Sequence, residues 1–480
     1  MFSEINFRYT DAAEEKQYAP ELIENAYVDI GNILEEIALP EKFLVIGQKG
    51  AGKSALSSKL QLMSQGKWDT FVETDDLEQF EFNLLLKTGG EKNGSIGGST
   101  TTWRLLLFIK MITLLLKDQS FSINNKNIST FSESMKKHGL MASESLVRII
   151  QQTSRKGAFF KFKAIFSESG IRADNVNETR IKDPAAIIDS IETAFLDVTP
   201  TESSFSLVLD GLDYPIKSGR ANITYLGDLI NAVRLVNAFM NKKNIKAKVI
   251  ILIRDDVINI VPDPNLAKRI NDNGVRLNWY DNTRAKFETS LMKVIENRAR
   301  LAGYDMEIES LWRTWFPNRI DGRDAKSFIL DNTRYLPRDL ISFFRCLQHI
   351  NNKPPFDRRD VLAALGNYST WFLTELSDAL VGFIPEDVRL ELPGMLRELG
   401  RRFSFNDFQN KIGNFKVTEK IAPEQLAKDL FNACFIGNVW KTADHETDRF
   451  SWKYRKSSAV FDRGHDIVIH TGLWKELNLI

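Results

Sequence analysis

Four residues in the stretch LVIGQKGAGKSAL, residues 44–56, have the types and the spacing of a phosphate-binding loop. Gly47, Gly52, Lys53 and Ser54 match every fixed position of the pattern G-x-x-x-x-G-K-[ST]. In such a loop backbone N–H groups wrap the phosphates, the lysine neutralises them and the hydroxyl binds Mg²⁺. The alternative is a glycine-rich turn that matches by accident. We therefore expect ATP and Mg²⁺ as cofactors, with these nucleotide contacts in the loop: Gly47, Gly50, Ala51, Gly52, Lys53, Ser54 and Ala55.

A site of this kind also needs an acid at the end of a buried strand to hold Mg²⁺. Asp210 ends the apolar run of SFSLVLD and is predicted to bind the metal together with Ser54. The alternative is that Asp210 and Gly211 form a simple turn. In many hydrolysing proteins a water-orienting glutamate follows the acid directly, but Gly211 stands there in this chain. Asp213 is the best substitute, or it caps the segment that follows.

Two arginines stand where they would sense a phosphate. Arg254 ends the apolar stretch VIILIR, and parallel α/β proteins place ligand groups at such strand ends. An ion pair with Asp255 or Asp256 is the alternative. Arg338 follows Pro337 at a predicted helix start, where it would bind nucleotide from a lid or simply be a helix-start arginine. The predicted catalytic set is Lys53, Asp210, Asp213 and Arg254.

The elements that must position these residues alternate along the chain. Apolar runs predict strands at 43–46, 68–73, 205–210, 249–254 and 276–279, and helical spacing predicts helices at 54–63, 103–116, 184–196 and 222–241. Strands that alternate with helices favour a parallel sheet. The loop at 44–56 then lies between a strand and a helix, as a phosphate-binding loop requires.

The remaining segments predict further domains around this core. Residues 11–39 have helical spacing, residues 87–100 are glycine-rich and are expected to form a flexible loop, and residues 159–166 alternate like a hairpin strand. Helices are expected at 284–302, 324–350 and 357–400, and the tail has helices followed by strands at 437–440, 450–455 and 466–470, which suggests a winged helix. The predicted domains are a helical lead-in at 1–40, a core at 41–283 with an insertion at about 85–185, a helical lid at 284–350, and a helical and winged-helix domain at 351–480.

Composition excludes several other classes. The formal net charge is +1, from 64 basic and 63 acidic residues, so no global field attracts nucleic acid or an anionic membrane. The two cysteines have no CxxC spacing, which argues against a disulfide framework or a zinc site and fits a cytoplasmic protein. The longest apolar run, 105–116, is too short to span a bilayer, and the first residues lack the apolar region of a signal peptide.

Five stretches, in this order along the chain, resemble the FunZ-type bacterial P-loop ATPases, relatives of the STAND and AAA+ groups: LVIGQKGAGKSAL, LVLDGLDYP, IILIRDDV, YLPRDLI and IVIHTGLWKEL. The resemblance implies an α/β fold, with a parallel-sheet AAA+/STAND-like P-loop NTPase core, a helical lid and a C-terminal winged-helix domain. By motif it implies nucleotide binding by Lys53 and Ser54. It further implies the Mg²⁺ role for Asp210, a first-sensor role for Arg254 and a lid-sensor role for Arg338. The missing glutamate after Asp210 departs from the family and argues against fast turnover.

The resemblance implies a switch found in antiphage defence or mobile-element systems. The leading hypothesis is an ATP-binding regulatory ATPase that acts as a nucleotide-dependent switch or assembly subunit and controls a separate effector. Its partners would be copies of itself, an effector protein or both, without a membrane. The alternatives are an ATP-dependent DNA-binding loader of origin-recognition type and a nucleotide-bound structural subunit with little turnover.

DNA binding would use the C-terminal winged helix. The segment 452–463 interleaves basic and aromatic residues: Lys453, Arg455, Lys456 and Arg463 with Trp452, Tyr454 and Phe461. The expected recognition helix, 423–434, offers Gln425, Lys428 and Asn432, but it also carries Glu424 and Asp429, which a phosphate backbone would repel. A packing or partner-docking role for this region is the alternative.

Overall fold

The computed structural model describes residues 2–77, 98–137, 184–212, 223–281, 287–442 and 447–479. The chain forms two compact units. The first, which we call the loop unit, comprises Met1–Gly31, Gly47–Ser58 and Leu277–Ile480, and the second, the sheet unit, comprises Asn32–Ile46 and Lys59–Arg276.

The secondary structure of the described residues is as follows in chain order. The strands are β1 Leu44–Gly47, β2 Thr70–Asp76, β3 Ser204–Asp210, β4 Ala247–Arg254, β5 Gly274–Arg276, β6 Arg319–Ile320, β7 Arg323–Asp324, β8 Arg402–Phe403, β9 Ile436–Lys441, β10 Asp448–Ser451 and β11 Asp466–Ile469. The α-helices are α1 Ala12–Tyr18, α2 Pro20–Asn25, α3 Ile33–Glu36, α4 Lys53–Ser64, α5 Gly98–Leu115, α6 Gln119–Asn124, α7 Lys126–Lys137, α8 Pro184–Ala194, α9 Ile223–Lys242, α10 Asp255–Ile258, α11 Leu266–Asn273, α12 Ser290–Leu301, α13 Ile308–Trp315, α14 Ala325–Asp331, α15 Pro337–Ile350, α16 Arg358–Ala379, α17 Glu386–Leu399, α18 Phe405–Ile412 and α19 Pro423–Asn432.

The sheet unit is built on a five-stranded parallel sheet with the strand order β2-β3-β4-β1-β5. Strand β1 is buried along its whole length, and β4 is buried at every position except Lys248, which explains why both contain continuous apolar runs. The predicted α/β class with a parallel sheet is confirmed. Because the strands are parallel, the residues that end β1, β3 and β4 lie at the same edge of the sheet.

A layer of helices covers one part of this sheet. Helix α5 packs against α8 and α9, and α9 packs on β4. Lys110 of α5 is buried, and its amine lies 3.3 Å from a carboxylate oxygen of Glu73 and 3.4 Å from one of Asp75, both on β2. Helix α5 begins at Gly98, so the end of the glycine-rich segment 87–100 is helical rather than loop. The predicted hairpin strand at 159–166 lies outside the described residues.

The lead-in at 11–39 is helical, but turns divide it into several short helices. It divides into α1, α2, a 3-10 turn at Ile30–Asn32, and α3. Ala19, which precedes Pro20, has φ −151° and ψ 56°, because a residue before proline avoids the α region. Gly31 and Asn32 have left-handed backbones with φ 60° and 57°. The apolar spacing predicted burial correctly, but backbone chemistry interrupts the helix.

The predicted helices at 324–350 and 357–400 are also each divided. Between α14 and α15 the chain passes through Tyr335, whose φ is 56°, and then through Leu336, which is extended before Pro337. Between α16 and α17 it turns at Gly382, whose φ is 84°. The expected helix at 284–302 begins at Ser290, and residues 282–286 lie outside the described part.

The end of the loop unit contains two helices and an antiparallel sheet. Helices α18 and α19 precede β9, β10 and β11, and the strand order is β10-β9-β11-β8. The predicted strand at 450–455 ends early, at Ser451, because Trp452 and Tyr454 turn inward and join a core with Cys434, Val439 and Val468. The order of helices and strands is the predicted one, while its function as a winged helix stays a prediction.

Within the described ranges, no helix combines the length and the apolar content that crossing a bilayer requires.

Candidate functional site

The segment Gly47–Ser54, which we call the glycine loop, connects β1 to α4. Gly50 and Gly52 have φ 90° and 92°, a backbone region that side chains other than glycine rarely adopt. Ala51 between them is fully buried and donates its N–H to the Gln48 carbonyl at 3.1 Å. The loop is therefore a tight turn with α4 directly behind it, and the N-terminus of a helix favours anions through its dipole and its backbone N–H groups.

Lys53 and Ser54 open α4. The Lys53 amine donates to the carbonyl oxygens of Gly47 and Gln48 at 3.1 and 3.0 Å, so its charge lies against the loop backbone. Ser54 is exposed. The short loop with left-handed glycines and a lysine folded onto it has the hydrogen-bond donors and the cation that a nucleotide phosphate needs. The exposed Ser54 hydroxyl is an oxygen ligand for Mg²⁺. The residues present therefore fit this cofactor.

Two residues after β5 pack on the glycine loop. The Trp279 ring nitrogen donates to the Ala51 carbonyl at 2.8 Å, and a Cβ built on Gly47 would lie 3.1 Å from the Leu277 Cβ. These contacts explain why the strand predicted at 276–279 ends at Arg276. The chain leaves the sheet there so that Leu277 and Trp279 can pack on the loop.

Arg338 contacts the glycine loop directly. It is the second residue of α15, after Pro337, as predicted. A Cβ built on Gly50 would lie 3.1 Å from the Arg338 Cβ, which is tighter than ordinary packing. The Arg338 guanidinium donates from Nε to the Thr10 carbonyl at 3.1 Å and from Nη1 to the Glu375 carboxylate at 3.2 Å. The arginine stem therefore lies on Gly50, and its charge is held by Glu375.

A left-handed tyrosine precedes α15. A φ of 56° is unusual for a bulky aromatic residue and costs free energy that neighbouring contacts must offset. The Tyr335 hydroxyl donates to Asp331 at 2.7 Å, and its ring packs edge-on against Tyr280 at 5.1 Å. These contacts fix the turn that leads into α15, and so they help to place Arg338.

Glu375, on α16, is the acidic centre of the site. One of its carboxylate oxygens lies 3.2 Å from Arg338 and 3.8 Å from Arg334, and the other lies 3.2 Å from the Lys49 amine. The residue is only 8% exposed. Burial opposes its ionisation, but the charges of Arg334, Lys49 and Arg338 outweigh burial and lower the pKa of Glu375. The carboxylate is therefore an anion that faces three cations.

Arg334 belongs to a second, fully buried ion pair. Its Nε and Nη2 atoms donate to the two Asp339 oxygens at 2.9 and 2.6 Å, and its backbone N–H also donates to Asp339 at 2.9 Å. Burial lowers the pKa of Arg334, but Asp339 and Glu375 raise it by more. This pair ties the turn before α15 to the first turn of the helix.

The C-terminal sheet region also reaches the glycine loop. The Gln48 side chain donates to the Lys453 carbonyl at 3.1 Å. Lys453 is buried, and its amine donates to the Ala459 carbonyl at 3.1 Å. Arg455 lies over the Tyr280 ring at 5.2 Å. Two of the four basic residues proposed for DNA binding thus pack inside the loop unit.

The other proposed DNA contacts are partly neutralised. Lys428 of α19 pairs with Glu424 at 2.8 Å, and Arg463 lies 3.8 Å from the same carboxylate. Trp452, Tyr454 and Phe461 are buried. Lys456 is exposed, but the face as a whole displays little positive charge, so these contacts favour the packing alternative for segment 452–463.

The predicted residues of the sheet unit lie at its carboxyl edge. Asp210 ends β3, beside Asp76 of β2, and accepts from the Gly211 N–H at 2.8 Å. Gly211 has φ 75°, so the turn weighed as the alternative is present. Arg254 ends β4, is buried, and donates to Asp256 at 2.9 Å, the ion pair weighed as its alternative. The metal and sensor roles stay predictions, and Asp213 lies outside the described residues.

The described side chains contain no group of three or more His, Cys, Asp or Glu residues arranged to hold a metal ion. Mg²⁺ bound with a nucleotide needs less from a protein, since it keeps several waters and takes only one or two side-chain ligands beside the phosphates.

Three charged residues of the site were not singled out from the sequence: Lys49, Arg334 and Glu375. Glu375 carried a readable signal. It is flanked by Phe372, Leu376 and Ala379 at helical spacing, all of which are buried, so it lies on the apolar face of α16. A charged residue on such a face is rarely left unpaired. Its partners could not be read, because Lys49 and Glu375 are separated by 326 positions.

Two similarities to known proteins place this site in context. Residues 289–377 match the family described as the FunZ-associated C-terminal helical domain. The chain is also similar to the "Putative transposon gamma-delta 80.3 kDa protein" of Escherichia coli (strain K12), with 20% identity over 490 aligned positions. The alignment covers 95% of this chain and 65% of that protein, so the chain spans slightly less than two thirds of its relative. The matched domain, α12 to α16, contributes Arg334, Arg338 and Glu375.

Proposed function

We propose that the protein is an ATP-binding regulatory ATPase that acts as a nucleotide-dependent switch. The observation that carries this proposal lies in the loop unit. Arg338 and Glu375, both from the FunZ-associated domain, contact Gly50 and Lys49 of the glycine loop. A domain whose charged residues rest on a phosphate-binding loop responds to what the loop holds, because a phosphate changes the charge those residues face.

Each residue has a proposed role in holding the nucleotide. The glycine loop and the α4 N-terminus hold the phosphates, with Lys53 as the neutralising cation and Ser54 as a Mg²⁺ ligand. Asp210 supplies the acidic metal ligand, and Arg254 and Arg338 respond to the γ-phosphate. Bound ATP would supply a hydrolysable phosphoanhydride whose state distinguishes two forms of the protein. Since Gly211 follows Asp210, we propose slow turnover.

The biological setting is proposed from the similarities. The FunZ-associated domain and the distant likeness to a transposon protein support a role in a mobile element or an antiphage defence system. A further copy of the chain, a separate effector or both would receive the signal. The DNA-loader alternative is less well supported, because Lys453 and Arg455 are buried or partnered rather than displayed.

Calorimetric titration of the full chain with ATP and Mg²⁺ tests the proposal. The unaltered protein should bind ATP, and Lys53→Ala should weaken binding by about 100-fold or more, because the variant loses a charge-assisted contact to phosphate. Lys67→Ala, which removes an exposed lysine outside the loop, is the matched control and should bind normally. Equal ATP binding by the Lys53 variant and its control would refute the proposal.

A further inference from the structure

We propose that Glu375 is a positioning residue of the nucleotide site, which holds Arg338 and Lys49 on the glycine loop and yields them to a nucleotide phosphate. The inference rests on the proposed function and adds the element through which the FunZ-associated domain would register the nucleotide. Neither similarity assigns a role to Glu375.

The Glu375 carboxylate lies on a buried face of α16. Glu375 projects from a face of α16 whose neighbours Phe372 and Leu376 are fully buried. Burying a carboxylate is unfavourable unless cations and hydrogen-bond donors compensate. An alanine or leucine would pack on this face without that cost, so the acid at this position is explained by the cations that it meets.

The three cations near Glu375 differ in their distance from its carboxylate and in their other partners. Arg334 already makes a two-pronged pair with Asp339, and its distance to Glu375 is the longest of the three, at 3.8 Å. Arg338 and Lys49 lie closer to Glu375, each at 3.2 Å. Glu375 therefore chiefly balances the two cations that belong to, or lie on, the glycine loop.

A nucleotide phosphate would compete with Glu375 for Arg338 and Lys49. The Arg338 stem packs on Gly50, and Lys49 is the preceding loop residue. Carboxylate and phosphate oxygens are both good acceptors for a guanidinium, and a phosphate carries more charge. A phosphate held by the loop would draw Arg338 and Lys49 away from Glu375. The release would free the end of α16 from the loop, and α16 packs on α15 within the matched domain.

The decisive experiment compares ATP and ADP affinities, by calorimetry of the full chain, for three proteins. Glu375→Gln removes the competing charge and keeps the size of the side chain. It should bind ATP about 10- to 100-fold more tightly, the range of one charge-assisted hydrogen bond, and ADP should gain less. Asp378→Asn is the matched control, since Asp378 is on the same helix, 57% exposed and 3.8 Å from Lys49. Both of its affinities should stay within about twofold.

The outcomes separate the inference from the proposed function. If the unaltered protein binds no ATP, both fall. If it binds ATP but Glu375→Gln matches Asp378→Asn, or loses affinity for both nucleotides alike, Glu375 is merely structural and only the inference falls.

A measurement on the unaltered protein covers the case in which Glu375→Gln does not fold. Hydrogen exchange across residues 370–380 should become faster with ATP than with ADP, because the end of α16 loses its tie to the loop. Unchanged exchange in ATP-saturated protein would overturn the inference.

Discussion

Replacing Gly50 with alanine probes the contact between the glycine loop and Arg338 of the matched domain, residues 289–377. Two costs add at this position. An alanine at φ 90° pays about 1–2 kcal/mol for the left-handed backbone. Its Cβ would also lie 3.1 Å from the Arg338 Cβ, and such crowding typically costs about 1–3 kcal/mol. The second cost falls on the loop and on the start of α15 together.

Gly303→Ala separates the two costs. Gly303 also lies in the loop unit and has φ 86°, but a Cβ there would meet nothing within 4 Å. Gly303→Ala should therefore be destabilised only by the free energy of the left-handed backbone. The difference between the variants, about 1–3 kcal/mol, isolates the contact with Arg338.

Hydrogen exchange with mass spectrometry measures this difference locally, which matters because a chain of two units need not unfold in one step. In Gly50→Ala, peptides that cover residues 337–345 should exchange about 5- to 150-fold faster than in the unaltered protein, since each 1.4 kcal/mol is tenfold, and peptides that cover residues 47–56, which also bear the backbone cost, should exchange faster still. In Gly303→Ala these peptides should exchange normally, and only those around residue 303 should change. If α15 exchanges alike in both variants, Arg338 does not pack on the loop as described.

Three further outcomes follow from buried charges. Asp339→Asn leaves the Arg334 guanidinium, which is 3% exposed, without its partner, so urea denaturation should show a loss of about 3–5 kcal/mol. The control Asp321→Asn breaks an exposed pair with Arg358 and should lose less than about 1 kcal/mol; similar losses for both would contradict the buried pairing. Burial and the charges of Arg334 and Arg455 lower the pKa of His470 to about 3. At a pH between this value and the pKa of the unfolded chain, the unfolded chain therefore binds a proton at His470 that the folded chain does not bind. Unfolding free energy should therefore fall by about 2 kcal/mol between pH 6.5 and pH 5 through this residue. His470→Asn keeps an acceptor for the Gly472 N–H and should lose that slope, whereas an unchanged slope would mean that His470 does not titrate in this way.

The sequence alone predicted those parts of the fold in which local pattern and burial agree. Strands β3 and β4 are apolar runs because the sheet buries them, and α9 keeps helical spacing over its whole length. The position of Arg338 after Pro337 was also readable, because proline favours the first turn of a helix.

The remaining features depend on contacts between distant parts of the chain. The continuous helix expected at 324–350 is interrupted because Tyr335 adopts a left-handed backbone that Asp331 and Tyr280 stabilise, which no local propensity predicts. The basic and aromatic residues at 452–463 left both a DNA-binding surface and a packing role open, and only the folded chain shows that Trp452 and Tyr454 fill a core. Nor could spacing reveal that Glu375 meets Lys49, since the loop and α16 are joined only by folding.

We propose that the matched domain, residues 289–377, senses the γ-phosphate through Arg338. The ratio of ATP to ADP affinity tests it most directly, measured by calorimetry with Mg²⁺ for the unaltered chain, Arg338→Ala and Arg345→Ala. Arg345 lies on the same helix and donates to the Arg8 carbonyl at 3.4 Å, so it is the matched control. The unaltered chain and Arg345→Ala should prefer ATP by about tenfold or more, and Arg338→Ala should bring the ratio close to one. A ratio that Arg338→Ala leaves unchanged would contradict the claim.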